Sequence, residues 1–127
     1  MNSKRLIILC CLVALSVFSV ESVLAQRGRK AVKDATWQTS VDDSKRGIVT
    51  LGIRDKWAAM GSFTASFAVT APNKKKFSAR TKTTQDDWGY IRFPKDFGGK
   101  RPAAGTYTVV FYANGVIIGR DKFTFRP

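Results

Sequence analysis

The chain has 127 residues, with 22 Lys and Arg against 9 Asp and Glu, a formal net charge of +13, 2 Cys and no His. That length allows one domain. With no imidazole anywhere and both cysteines near the N-terminus, the rest of the chain has no thiolate or imidazole to hold zinc, copper or haem.

Met1–Arg5 is short and basic, Leu6–Val20 is almost wholly apolar, and Val23-Leu24-Ala25 places small or short residues where a signal peptidase reads them. These are the three parts of a secretory signal peptide, with cleavage before Gln26. The apolar run is too short to span a bilayer, which needs about 20 apolar residues. Cys10 and Cys11 lie inside the run and do not end it, which argues against a lipid-modified cysteine. The expectation is a leader at 1–25 and a secreted or periplasmic mature chain with no transmembrane segment. That mature chain has 102 residues, 20 basic and 8 acidic, and no cysteine. It keeps one Leu (Leu51) and no Glu, the residues that fill ordinary helices. It carries 14 aromatic residues and 11 Thr, which suit strands, and 10 Gly scattered in the manner of turns.

In chain order, Gln26–Ala35 is polar, basic and aperiodic, and reads as a flexible arm at 26–35. The folded domain is expected over 36–127. Thr36–Val41 alternates, with Trp37, Thr39 and Val41 on one side. Gly47–Asp55 places Val49, Leu51 and Ile53 on one face, and Asp55–Gly61 is a loop or a single helical turn. Gly61–Ala71 has the strongest period of two: Phe63, Ala65, Phe67, Val69 and Ala71 face one way, and Thr64, Ser66, Ala68 and Thr70 the other. Pro72-Asn73 turns the chain. Phe77–Thr84 is a weaker strand with Ser78, Arg80 and Lys82 outward, and Gln85–Asp87 turns again. Trp88–Phe93 is short, Pro94 stops it, and Lys95–Ala104 is a loop.

Gly105–Ala113 and Val116–Arg126 flank Asn114-Gly115, the preferred pair for a type I′ hairpin turn. An uninterrupted register would pair Val109 with Arg120 and Tyr107 with Lys122, driving two cations into the core. One extra residue at Gly119-Arg120 cures this and pairs Val109 with Asp121 and Tyr107 with Phe123, so a bulge is predicted there. Arg120, Lys122, Thr124 and Arg126 then face outward. Seven short strands with turns between them predict an all-β protein, a single antiparallel β-sandwich.

Thr84–Phe125 resembles immunoglobulin-like β-sandwich domains of bacterial extracellular proteins. The residues are Asp87-Trp88-Gly89, Ile91-Arg92-Phe93-Pro94, Gly105-Thr106-Tyr107-Thr108-Val109, Asn114-Gly115 and Phe123-Thr124-Phe125. The resemblance implies that Gly105–Val109 belongs to the penultimate strand, with the Tyr107 hydroxyl at a corner, reaching nearby backbone. The paired cysteines of true immunoglobulin domains are absent.

Without mature His, Cys or Glu, the common catalytic bases and nucleophiles are missing, so no enzymatic activity is expected. Asp42-Asp43 and Asp86-Asp87 could ligate calcium, but they read better as turn residues, and no cofactor is expected. The basic side chains are the functional clue, since a net +12 on 102 residues attracts polyanions. Candidate ligand-binding residues are Arg27, Arg29 and Lys30 on the arm, Lys74, Lys75 and Lys76 after the Pro72 turn, and Arg80 and Lys82 beyond it. Trp88 and Tyr90, on the face opposite Ile91 and Phe93, are the aromatic candidates. The expected role is a binding module for an anionic envelope polymer or lipid headgroups. The alternative is a protein partner paired at a sheet edge. The export signal disfavours nucleic acid.

Overall fold

In the computed structural model the described residues are 31–83, 88–98 and 101–127. They form seven strands: β1 (Trp37–Asp42), β2 (Val49–Asp55), β3 (Phe63–Thr70), β4 (Lys76–Thr83), β5 (Gly89–Phe93), β6 (Gly105–Ala113) and β7 (Val116–Phe125). One sheet has the order β1-β2-β5 and the other β4-β3-β6-β7. Every pairing is antiparallel. The chain therefore changes sheet between β2 and β3, between β4 and β5, and again between β5 and β6. The expected all-β, seven-stranded sandwich is the observed fold.

The period of two explains the two layers. Along β3 a buried residue alternates with a half-buried one over the whole strand, and β5 alternates buried with exposed. The inward residues of both sheets meet in one core, including Leu51, Ile53, Phe67, Phe93, Tyr107 and Phe111. Phe93 is its hub. Its ring centroid lies 5.2–5.6 Å from those of Phe77, Phe97, Tyr107, Phe123 and Phe125. At those separations and tilts aromatic pairs gain beyond simple burial.

The Tyr107 hydroxyl donates to the Ala103 carbonyl oxygen at 2.6 Å, closing a corner at the start of β6. Burial raises the Tyr107 phenol above its ordinary value, because the anion would be desolvated.

At the β6–β7 turn both Asn114 (φ 48°) and Gly115 (φ 80°) are left-handed, as a type I′ turn requires. Val109 pairs with Asp121 and Tyr107 with Phe123, as charge exclusion from the core demanded. The bulge sits nearer the turn than expected. Phe111 pairs with Gly119 and Tyr112 with Ile117, so Ile118 is the extra residue. Gly119 is not there for backbone freedom, since its φ is ordinary, and a Cβ would make only an ordinary contact with Thr39 Cγ2 at 3.5 Å.

The structure also departs from the flexible arm at its C-terminal end. Residues 31–34 are helical, Val32 is buried in the core, and the Trp37 indole N–H donates to the Val32 carbonyl oxygen at 2.7 Å. One apolar residue per turn leaves no periodic trace in sequence. Nor are the glycines all turn residues: Gly52, Gly89 and Gly119 lie inside strands. The expected leader at 1–25 lies outside the described residues. Among the described residues no helix is long and apolar enough to cross a membrane.

Candidate functional site

The sandwich has two outer faces, and they differ. On the four-stranded sheet the register places outward residues in rows: Arg80–Ser66–Tyr112–Ile117, Ser78–Ala68–Val110–Arg120 and Lys76–Thr70–Thr108–Lys122. The middle strands contribute mainly small side chains: Thr64, Ser66, Ala68 and Thr70 from β3, Thr106 and Thr108 from β6. The two edge strands contribute the cations, with Lys76, Arg80 and Lys82 on β4 and Arg120 and Lys122 on β7, all exposed.

The result is a trough with two positive rims. Two depressions fill it. One, of about 380 Å³, lies over Ala68, Thr70, Lys76, Ser78, Val110 and Tyr112. The other, of about 500 Å³, lies over Thr108, Val110, Arg120, Asp121 and Lys122. They adjoin at Val110. Three strand spacings separate the rims by about 14 Å, and successive outward residues along a rim are about 7 Å apart. Asp121, opposite buried Val109, is the acid of that edge, and its carboxylate accepts from the Lys122 amide at 2.8 Å.

The outer face of the three-stranded sheet is built on another plan. Tyr90 of β5 and Trp88, the residue just before that strand, are two residues apart, and their rings stack at 5.7 Å between centroids and 13° between planes. Gly52 on β2 pairs with Tyr90. A Cβ there would lie 2.8 Å from Tyr90 Cδ1 and Cε1 and 3.1 Å from Trp88 Cε3, so the rings occupy the space that a side chain would fill. One step beyond the last β2–β5 pair, Arg54 comes opposite Trp88, and its guanidinium carbon lies 5.3 Å from the ring centroid. Gln38 of β1, paired with Arg54, fixes that guanidinium: its Oε1 accepts from Arg54 Nε at 3.1 Å and Nη2 at 2.8 Å. Arg92, the next outward residue of β5, is exposed, and its backbone amide donates to Asp96 Oδ2 at 2.8 Å. Tyr90 is 53% exposed.

The sequence candidates thus divide between two surfaces. Lys76, Arg80 and Lys82 line one rim of the trough. Trp88 and Tyr90 form the stack on the other sheet, where the cation over the Trp88 ring is Arg54. Lys74 has a left-handed backbone (φ 67°) in the β3–β4 turn. The Lys75 ammonium lies 5.6 Å from the Phe77 ring centroid, at a small cleft of about 180 Å³ that Arg101 also lines. Arg27, Arg29 and Lys30 lie outside the described residues, as do Asp86-Asp87. Gly52, Arg54, Gln38 and Arg92 were missed, because only strand order brings β1, β2 and β5 together.

Two further groups are structural. Arg126 Nη2 donates to the carbonyl oxygens of Asp43 (3.3 Å) and Ser44 (3.0 Å), and Asp43 Oδ2 accepts from the Thr124 amide at 2.9 Å. These bonds tie the β1–β2 loop to the end of β7. Asp42 Oδ1 accepts from the Ser44 hydroxyl (2.6 Å) and amide (3.1 Å), which hold its carboxyl below the ordinary value. This is turn chemistry, as read from sequence for that pair. Among the described residues no three His, Cys, Asp or Glu gather to hold a metal ion.

No family model and no curated protein matches this chain. Among solved structures, similarity is found to the Pseudomonas fluorescens alkylpurine DNA glycosylase AlkC bound to DNA containing an abasic site analog. The identity is 15%, the TM-score 0.36, and the match covers 63% of this chain and 25% of that one. The chain therefore spans about a quarter of that protein's length. This finding corrects two expectations, that the protein has no enzymatic activity and that nucleic acid is disfavoured. The similar protein is an enzyme and it holds DNA, so neither exclusion stands. The likeness assigns neither the activity nor the DNA contact to this chain. In physical terms, Asp, Ser, Tyr and Lys remain able to do chemistry. A leader speaks to compartment and not to what a basic surface attracts.

Proposed function

We propose that this domain binds a linear polyanion along the outer face of its four-stranded sheet. One observation carries the reading. Lys76, Arg80 and Lys82 stand on one edge strand and Arg120 and Lys122 on the other, with Lys76 and Lys122 in one row, across a floor of Ser, Thr and Ala side chains with Val110 and Tyr112. A charged chain lying parallel to the strands would have cations on both flanks and little to obstruct it between them. Edge protection by Lys does not by itself require so large an excess of positive charge. On the two rims Lys76, Arg80, Lys82, Arg120 and Lys122 are positive, against one exposed acid, Asp121. The same charges oppose strand addition at either edge, so edge pairing with a protein has less support.

The leader supports a secreted or periplasmic setting, in which anionic envelope polymers or headgroups are the available ligands. The immunoglobulin-like reading is supported by the order of crossings between sheets and by the Tyr107 corner.

The test is binding to dextran sulfate, an extended polyanion, over a salt series. Charge-led binding should weaken steeply as salt shortens the Debye length, about 10 Å at 0.1 M. A variant with Lys76, Arg80, Lys82, Arg120 and Lys122 all replaced by Gln should lose it. Unchanged binding in that variant would overturn the reading. So would binding to anionic lipid vesicles with none to the polymer.

A further inference from the structure

We propose that the Trp88–Tyr90 ladder on the three-stranded sheet is a second site, which stacks the exposed bases of a single-stranded nucleic acid. The inference does not rest on the trough, which lies on the other sheet.

The geometry is that of a stack already begun. The Arg54 guanidinium, the Trp88 ring and the Tyr90 ring follow one another at 5.3 Å and 5.7 Å, with the two rings 13° from parallel. Trp88 is covered by Arg54 and by Tyr90 and is half-buried. One side of Tyr90 is turned to Trp88, so its 53% exposure falls on the rest of the ring, toward the end of the ladder. What prolongs such a ladder is another flat π-system in offset stacking. The exposed Arg92 is the next outward residue of the same strand, about 7 Å along. It places a cation where the phosphate of a stacked nucleotide would need one. An aromatic platform beside cations is the pattern that holds unpaired bases without regard to sequence.

Two observations show that the platform is held ready. Gly52 leaves room for the rings against the sheet, and Gln38 clamps Arg54 through two hydrogen bonds at 3.1 Å and 2.8 Å. Neither arrangement is needed for the core, which lies on the other side of β2 and β5.

The test compares three probes on the purified protein by anisotropy and Trp emission: a thymidine oligonucleotide, an abasic oligonucleotide of equal length and charge, and a neutral oligosaccharide. The thymidine strand should bind about tenfold more tightly than the abasic one and quench Trp emission. Tyr90→Ala should bring that ratio to about one while circular dichroism stays native, and Tyr90→Phe should keep it. Neutralising the β4 and β7 rims should weaken both strands alike and leave the ratio, so the failure of either reading can be told from the failure of the other. Equal affinity for the two strands would overturn the inference. So would a ratio that survives Tyr90→Ala, or a neutral oligosaccharide whose binding depends on Tyr90.

Discussion

The two outer faces of this sandwich share one rule of alternation and reach opposite designs. On the four-stranded face the cations stand at the edges, and the centre carries Ser, Thr and Ala with Val110 and Tyr112. On the three-stranded face a cation, two aromatic rings and another cation lie side by side. Charges separated across about 14 Å of open floor act together through their field, so salt weakens them. A guanidinium packed on an indole acts through contact and depends little on salt. Binding by the first face should therefore tolerate change of individual residues, whereas the second should fail when one ring moves.

The largest expected effect breaks both faces at once. Phe93→Ala removes the ring around which five other aromatic side chains pack, and should cost about 3–5 kcal/mol. Thermal unfolding followed by circular dichroism would show it. A loss below about 1 kcal/mol would mean that Phe93 is not the hub described.

The next two sharpen the contrast by a double dissociation. Gln at the five rim positions should lower the slope of log affinity against log salt by about one for each contact removed, leaving Trp emission as it was. Gly52→Ala should do the reverse. Its Cβ would press on Tyr90 at 2.8 Å and on Trp88 at 3.1 Å, displacing the stack and opening Trp88 to an aqueous quencher. Its salt slope should stay that of the unaltered protein. A variant that moved both readouts would show that the faces are coupled.

The smallest effect lies at the corner. Tyr107→Phe removes the hydroxyl donated to Ala103 and should cost about 1 kcal/mol in denaturant unfolding at neutral pH. Burial raises the Tyr107 phenol above 10.0 in the folded chain. Below the unfolded value its full contribution is present. As pH rises past that value the unfolded chain ionises first, and the contribution is lost through the folded one. The cost of the substitution should accordingly shrink between about pH 9 and about pH 11. A gap that stays constant or widens would contradict the burial of that phenol.

Much of this architecture was legible in the residues. Phe63 to Ala71 alternates so cleanly that its two faces could be assigned by eye. Asn114-Gly115 named its turn, and the refusal of Arg120 and Lys122 to enter the core required a bulge. The bulge was displaced because charge exclusion applies only beyond Val109; Phe111 and Ala113 are apolar and accept either register. Val32 was missed because one buried side chain in a basic stretch has no period. Gly52 reads as one more outward position of Gly47–Asp55 until β5 is laid beside it, with Tyr90 over the space it leaves.

The sequence by itself determined the strands, their inward and outward faces and the excess of positive charge, because alternation, turn chemistry and composition act over a few residues. Only the tertiary structure decided which outward residues meet. Lys76 came to face Lys122 across a trough, and Arg54 came to lie on Trp88. Strand order joins residues that chain proximity does not, and no local period encodes it.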